Sequence, residues 1–245
     1  MTGMTDWQIW GSSVTGPLHQ QQGIPNQDAW IARRYRWGHV LAVCDGLGSK
    51  PHSHLGSSAA CAAVITAARC FQRHPQAGTE TLLRLIHAHW LLNIAPLTAS
   101  QCATTCLFAI HTAEKVIVGR LGDGAIAVYR AADEGCTLLC EDKQTAFSNL
   151  TASLHQAFKP ELWQVAVFNP QEVSAVFLCS DGIADDILPT AFTAFIHEMY
   201  RQYAALTPRN VVSDLRRWMT AWPVPGHTDD KTLAGLCLIP EGAVQ

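Results

Sequence analysis

The sequence predicts an α+β fold built on antiparallel sheets, and three observations carry the prediction. Strand-like apolar runs and amphipathic helical stretches come in blocks instead of strict alternation, which argues against a parallel βαβ architecture. Apolar runs at 39–44, 116–121 and 173–179 each lead into an Asp-Gly dipeptide, as buried strands do when they stop at a turn. With 245 residues, 48% of them apolar, the chain is long enough to bury a core without disulfide staples.

A first strand is expected at 7–14 and a second at 39–44, where the apolar run ends at Asp45-Gly46. Residues 56–72 are Ala-rich and free of proline, and 79–94 place Leu82, Leu83, Ile86 and Trp90 at helical spacing, so both segments are expected as helices. Strands are expected at 103–110, 116–121 and 125–130, with Gly122-Asp123-Gly124 as a tight hairpin between the last two. Two further strands fit 163–168 and 173–179. Helices fit 188–203 and 208–221; Thr207 is the candidate N-cap of the second and Pro208 its first residue, with Pro223, Pro225 and Gly226 following it. A strand at 232–239 comes last. No low-complexity linker and no internal period divides the sequence, so a single domain spanning 1–245 is expected.

Lys plus Arg number 17 and Asp plus Glu 20, a formal net charge of −3 with no run of like charges. A nucleic-acid partner, which needs a basic stripe, is not expected. Apolar stretches such as 59–68 and 173–179 fall short of the roughly 20 residues that span a bilayer, and the N-terminus lacks a leader pattern, so no membrane association and a cytoplasmic location are expected. The nine cysteines are odd in number and mostly embedded in apolar strings (Cys44, Cys61, Cys179, Cys237), as reduced core thiols are. Their spacings, and those of the His52/His54 and His87/His89 pairs, do not form a zinc signature. Neither a phosphate-binding Cys loop, nor a Gly-x-Ser-x-Gly elbow, nor a nucleotide phosphate loop is present. Eight tryptophans, among them Trp7, Trp10, Trp30 and Trp37 close together early in the chain, read as core packing.

The chemistry lies in the carboxylates. Asp28, Asp45, Asp123, Asp181 and either Asp229 or Asp230 sit in or beside the turns that bound apolar strands. A carboxylate at a strand end is rigidly held yet reaches a cleft, and several that converge repel one another unless a cation neutralises them. All-oxygen ligands suit Mg²⁺ or Mn²⁺ rather than Zn²⁺, and two such ions about 3.5–4 Å apart can hold a bridging hydroxide against a phosphoryl centre. These residues therefore predict a dinuclear metallohydrolase.

Six motifs then occur in order: Asn26-Gln27-Asp28-Ala29, Val43-Cys44-Asp45-Gly46-Leu47-Gly48, Ala103-Thr104-Thr105, Gly122-Asp123, Leu178-Cys179-Ser180-Asp181-Gly182-Ile183 and Asp229-Asp230-Lys231-Thr232. In order and approximate spacing the chain resembles the metal-dependent PPM-type (protein phosphatase 2C) Ser/Thr phosphatases, from about residue 10 to 239. The resemblance implies a four-layer α-β-β-α sandwich, two packed antiparallel sheets flanked by helices, with two Mn²⁺ or Mg²⁺ ions at one end. By position, Asp45 would bridge both metals, the Gly46 carbonyl and Asp28 would complete one ligand set, and Asp181 and Asp229 would hold the other ion. Asp45 and Asp181 are the candidate catalytic carboxylates, and Asp123 matches the ligand of a third, weaker metal in bacterial relatives.

The phosphate side departs from the family pattern. Where many members carry an Arg before Asn-Gln-Asp, this chain reads His19-Gln20-Gln21-Gln22-Gly23-Ile24-Pro25, and where members often place a His after Asp-Gly it has Lys50. His19 and Lys50 are the candidate phosphate ligands, with Arg33 and Arg34 as further candidates. Gly-Asp-Ser-Arg becomes Gly122-Asp123-Gly124-Ala125, and Asp-Asn becomes Asp229-Asp230, with Asp229 preferred as ligand by its register to Thr232. The expected activity is hydrolysis of phosphoserine or phosphothreonine in a phosphorylated protein, opposite a cognate Ser/Thr kinase pathway, by direct attack of the metal-bridging hydroxide. The alternative is a regulatory module of the same fold that binds a phosphorylated partner without turnover.

Overall fold

The computed structural model describes residues 7–74, 76–140, 151–240 and 242. In chain order the elements are β1 (Trp7–Val14), α1 (Pro17–Gln22), β2 (Asp28–Tyr35), β3 (Gly38–Asp45), α2 (Ser53–Phe71), α3 (Thr79–Ile94), β4 (Cys106–Thr112), β5 (Val116–Leu121), β6 (Ala125–Arg130), β7 (Gly135–Leu139), β8 (Gln164–Phe168), β9 (Ala175–Cys179), α4 (Asp181–Ala184), α5 (Phe192–Tyr203), α6 (Pro208–Thr220) and β10 (Lys231–Leu238). One antiparallel sheet runs β1-β10-β9-β6-β7 and the other β2-β3-β4-β5-β8.

Strand periodicity sorts the side chains into three cores. In β3, Val40, Ala42 and Cys44 face α2 and α3, while Leu41 and Val43 face the other sheet, because successive side chains point to opposite faces. Between the sheets, Leu107, Ala109, Val116 and Val118 meet Ile126, Val128, Val176, Leu178, Ala234 and Leu236. Outside the first sheet, Trp10, Phe177 and Leu233 pack against Ile196, Met199, Val211, Leu215 and Met219 of α5 and α6. The result is the expected four layers, α-β-β-α. The Ala-rich composition of α2 lets α3 lie close, and Trp90 Nε1 donates to the Gly56 carbonyl at 3.2 Å. At the head of α6, Thr207 is the N-cap, its side chain accepting from Asn210 N, and Pro208 is the first helical residue, as the sequence predicts.

One sequence expectation is overturned. Gly122-Asp123-Gly124 is not a hairpin turn: β5 pairs with β4 and β8, whereas β6 pairs with β7 and β9 in the other sheet. The segment carries the chain across from one sheet to the other, with Gly122 at φ +109°, where a Cβ would also lie 2.5 Å from Thr105 Cγ2. That crossing sets Asp123 at the open end of the sandwich. Smaller differences have local causes: α5 starts at Phe192 because Pro189 opens a separate short 3-10 turn, and β4 starts at Cys106 because Thr104 bridges Gly46 and Leu154. Four elements lie outside the expectation, the edge strands β2 and β7, the six-residue α1 and the four-residue α4. All nine cysteines are free thiols, and no helix among the described residues is long and apolar enough to cross a membrane.

Candidate metal centre

The two sheets bring their carboxylates to one end. Asp45 ends β3 and is the direct ladder partner of Asp28, which begins β2. From the other sheet, β9 runs through Ser180 into Asp181, the first residue of α4, and the loop before β10 supplies Asp229. Asp45, Gly46, Asp181 and Asp229, together with Asp123 on the inter-sheet crossing, line a cavity of about 320 Å³, with Asp28 buried behind Asp45. Carboxylate oxygens of Asp45, Asp123 and Asp181 lie within 4.8 Å of one another, close enough to share a cation.

The backbone around Asp45 is pinned. Asp45 N donates to Thr105 Oγ1 (2.9 Å), while Thr105 N and Thr104 Oγ1 both donate to the Asp45 carbonyl (2.8 Å each). Gly46 N donates to the Gln27 carbonyl (3.0 Å), and a Cβ at Gly46 would lie 2.5 Å from the Ser53 carbonyl oxygen, so only glycine fits. Asp28 is held from the opposite sheet: Ser180 Oγ and Thr232 Oγ1 donate to its Oδ2 at 2.8 and 2.6 Å. Asn26 supplies the turn beneath it, its side chain accepting from Asp28 N (2.9 Å).

Electrostatics show what the cluster lacks. Burial, followed by the charges of Asp28, Asp181 and Asp229, pushes the Asp45 carboxyl well above the usual range. Burial, with Asp123 and Asp229 beside it, lifts Asp181 to about 7. Asp28 rises to about 6, burial outweighing the hydroxyl donors that favour its charged form, and burial raises Asp229 as well. Two buried carboxylate oxygens, Asp28 Oδ1 and Asp123 Oδ1, have no hydrogen-bond partner, although Asp123 Oδ2 accepts from Thr151 at 2.8 Å. Orphaned, mutually repelling, all-oxygen acceptors are the donor set of a hard divalent cation, so the residues present fit Mn²⁺ or Mg²⁺.

The Asp229/Asp230 choice separates cleanly. Asp230 is 2% exposed and turns away from the cavity; its Oδ1 accepts from Gly16 N (2.7 Å) and its Oδ2 from Gln27 N (2.6 Å). Asp229 faces the cavity. Its loop is held by Lys231, whose Nζ lies 3.1 Å from His227 Nδ1 and donates to the Asp229 carbonyl at 3.2 Å. Of the expected phosphate ligands, His19 on α1 lines the cavity and Lys50 does not. Arg33 and Arg34 lie along β2 away from it: Arg33 donates to the Ala32 carbonyl and Arg34 to the Trp7 carbonyl and His39 Nε2. Sequence reading missed Thr151, the buried anchoring role of Asp230 and the loop-holding role of Lys231, none of which has a local signal.

A family profile described as protein phosphatase 2C matches residues 15–220. Comparison with the curated protein sequences gives no match. Among solved structures, a bacterial serine phosphatase superposes with a TM-score of 0.67 at 15% identity, covering 94% of this chain and 97% of its own. A serine/threonine phosphatase from Staphylococcus aureus gives 0.64 at 14% identity, covering 97% and 95% respectively. The photosystem II phosphatase PBCP gives 0.62 at 15% identity over 94% and 98%. At such identities the likeness speaks to the fold, and the profile match over most of the sequence settles the rest: the chain belongs to the protein phosphatase 2C family.

Proposed function

We propose that the protein, as one domain across 1–245, is a Mn²⁺- or Mg²⁺-dependent phosphatase acting on phosphoserine or phosphothreonine in proteins. The observation that carries this reading is the convergence of Asp45, Asp123 and Asp181 oxygens within 4.8 Å at the end of a protein phosphatase 2C fold. Asp45 is the proposed ligand shared by two ions, with the Gly46 carbonyl and Asp28 completing one set and Asp181 and Asp229 the other; Asp123 would serve a third, weaker ion. Bound there, the ions would supply a hydroxide nucleophile at neutral pH and offset charge on the phosphoryl oxygens. The chain's own contribution is preorganisation. Thr104 and Thr105 fix Asp45, Ser180 and Thr232 fix Asp28, and Lys231 fixes the loop of Asp229, so ligand geometry is set before substrate arrives.

The nine free thiols suit a reducing compartment, so the proposed substrate is a cytoplasmic phosphoprotein made by a Ser/Thr kinase. The test is hydrolysis of a small aryl phosphate and of a phosphoserine peptide by purified protein with Mn²⁺. Activity that EDTA and Asp45→Asn both abolish supports the reading. Phosphopeptide binding without any such turnover would replace it with the regulatory module.

A further inference from the structure

We propose that His19 is the phosphate-binding donor of the cleft and that Asp230 is its positioning residue; the inference rests on the phosphatase reading above. The cavity wall is acidic, and among the described residues lining it His19 is the one basic side chain. A phosphate dianion entering this site meets carboxylates on the metal side and needs a donor on the other. Lys50, Arg33 and Arg34 are not placed to provide it.

The support beneath His19 is built. Its Nδ1 lies 3.0 Å from Asp230 Oδ2, with the two side chains 14% and 2% exposed. The two atoms face each other without a hydrogen bond between them, and His19 Nδ1 is buried. With Nδ1 set against Asp230, Nε2 is the ring's other polar atom. Asp230 in turn is locked by Gly16 N and Gln27 N, so it ties α1, which carries His19, to the segment that carries Asp28. Leu18 N donates to the Thr228 carbonyl at 3.3 Å and Ile24 N to the His19 carbonyl at 2.9 Å, fixing both ends of the short helix. The Asp at 230 and the His at 19 therefore work as one unit: the buried carboxylate positions a ring that lines the cavity.

The experiment uses the full chain with Mn²⁺, p-nitrophenyl phosphate as substrate and inorganic phosphate as competitor. A lost charge-assisted hydrogen bond predicts that His19→Ala raises both KM and the phosphate inhibition constant about tenfold, with kcat changed far less and the Mn²⁺ dependence unaltered. Asp230→Asn raises KM in the wild-type background and adds little to His19→Ala, a coupling that general loosening of the fold would not give. Unchanged KM and phosphate inhibition in a folded His19→Ala protein would overturn the proposal; His19→Gln serves the same comparison if the alanine variant unfolds. Calorimetric titration of inorganic phosphate into the Mn²⁺-loaded protein separates this claim from the activity. A wild type that binds phosphate more tightly than His19→Ala but shows no turnover upholds the site and sinks the phosphatase reading. A wild type that turns over with phosphate affinity independent of His19 does the reverse.

Discussion

Asp181→Asn isolates the conflict between charge and burial that the aspartate cluster embodies. In the metal-free protein the Asp181 carboxyl is displaced from 3.8 to about 7, first by burial and then by Asp123 and Asp229. The folded state therefore holds a proton that the unfolded chain releases, and stability falls as pH rises from about 4 to about 7. At 1.36 kcal/mol per tenfold change in proton affinity, the ionised group costs the metal-free fold about 4 kcal/mol above neutrality. Asparagine removes the charge and keeps an oxygen for Gly182 N, which donates to Asp181 Oδ1 at 2.7 Å. Allowing for residual solvent screening, the variant should be more stable than wild type by about 2–4 kcal/mol in EDTA at pH 8, a Tm rise of roughly 5–15 °C. The assay is urea and thermal unfolding in EDTA and again in excess Mn²⁺. With Mn²⁺ the order should invert, since the wild type gains ligand-linked stability that the variant loses. A variant less stable than wild type in EDTA would mean that the cluster is not under repulsion.

Three other outcomes follow from features outside the ligand set. His39 and His111, with Nδ1 atoms 3.3 Å apart and both rings buried, are each lowered from 6.5 to about 4 by burial, His39 also by the charges of His111 and Arg34. Their folded values are depressed, so stability is complete above about pH 6.5 and is lost as pH falls toward 4, on the order of 3 kcal/mol for one ring; the urea midpoint against pH should flatten over that window in His111→Phe. Gly122→Ala forces a side chain into φ +109° and against Thr105, costing about 1–3 kcal/mol and lowering activity through displacement of Asp123, measured by unfolding and turnover together. Ile86→Ala empties a fully buried position of α3 and should cost about 2–5 kcal/mol in urea unfolding while leaving KM unchanged.

What the sequence reveals and what it hides divide along physical lines. Strands buried on both faces are legible from their apolar runs, Val40–Cys44 in β3, Val116–Val118 in β5 and the whole of β9. The edge strand β2 is not, because Arg33 and Arg34 face solvent and break its pattern, and α1 is too short to show a period. Gly122-Asp123-Gly124 has the turn chemistry of a hairpin, but whether its flanking strands pair is decided by β8 and β9, residues far along the chain. At the site, the Asp-Gly positions and the family motifs point to Asp28, Asp45, Asp123 and Asp181, all of which converge. The choice between Asp229 and Asp230 hangs on backbone donors at Gly16 and Gln27, more than 200 residues away in sequence, so no local reading could make it decisively. Lys50 follows Asp45-Gly46 closely in sequence and does not line the cavity, whereas His19, farther away in the chain, does.

If the carboxylates at the end of the sandwich hold divalent cations, anomalous diffraction from crystals soaked in Mn²⁺ should show at least two Mn²⁺ peaks in the cavity, both in contact with Asp45, with Asp28 and the Gly46 carbonyl on one and Asp181 and Asp229 on the other. Fewer than two ions there, or ions bound without Asp45, would contradict that role.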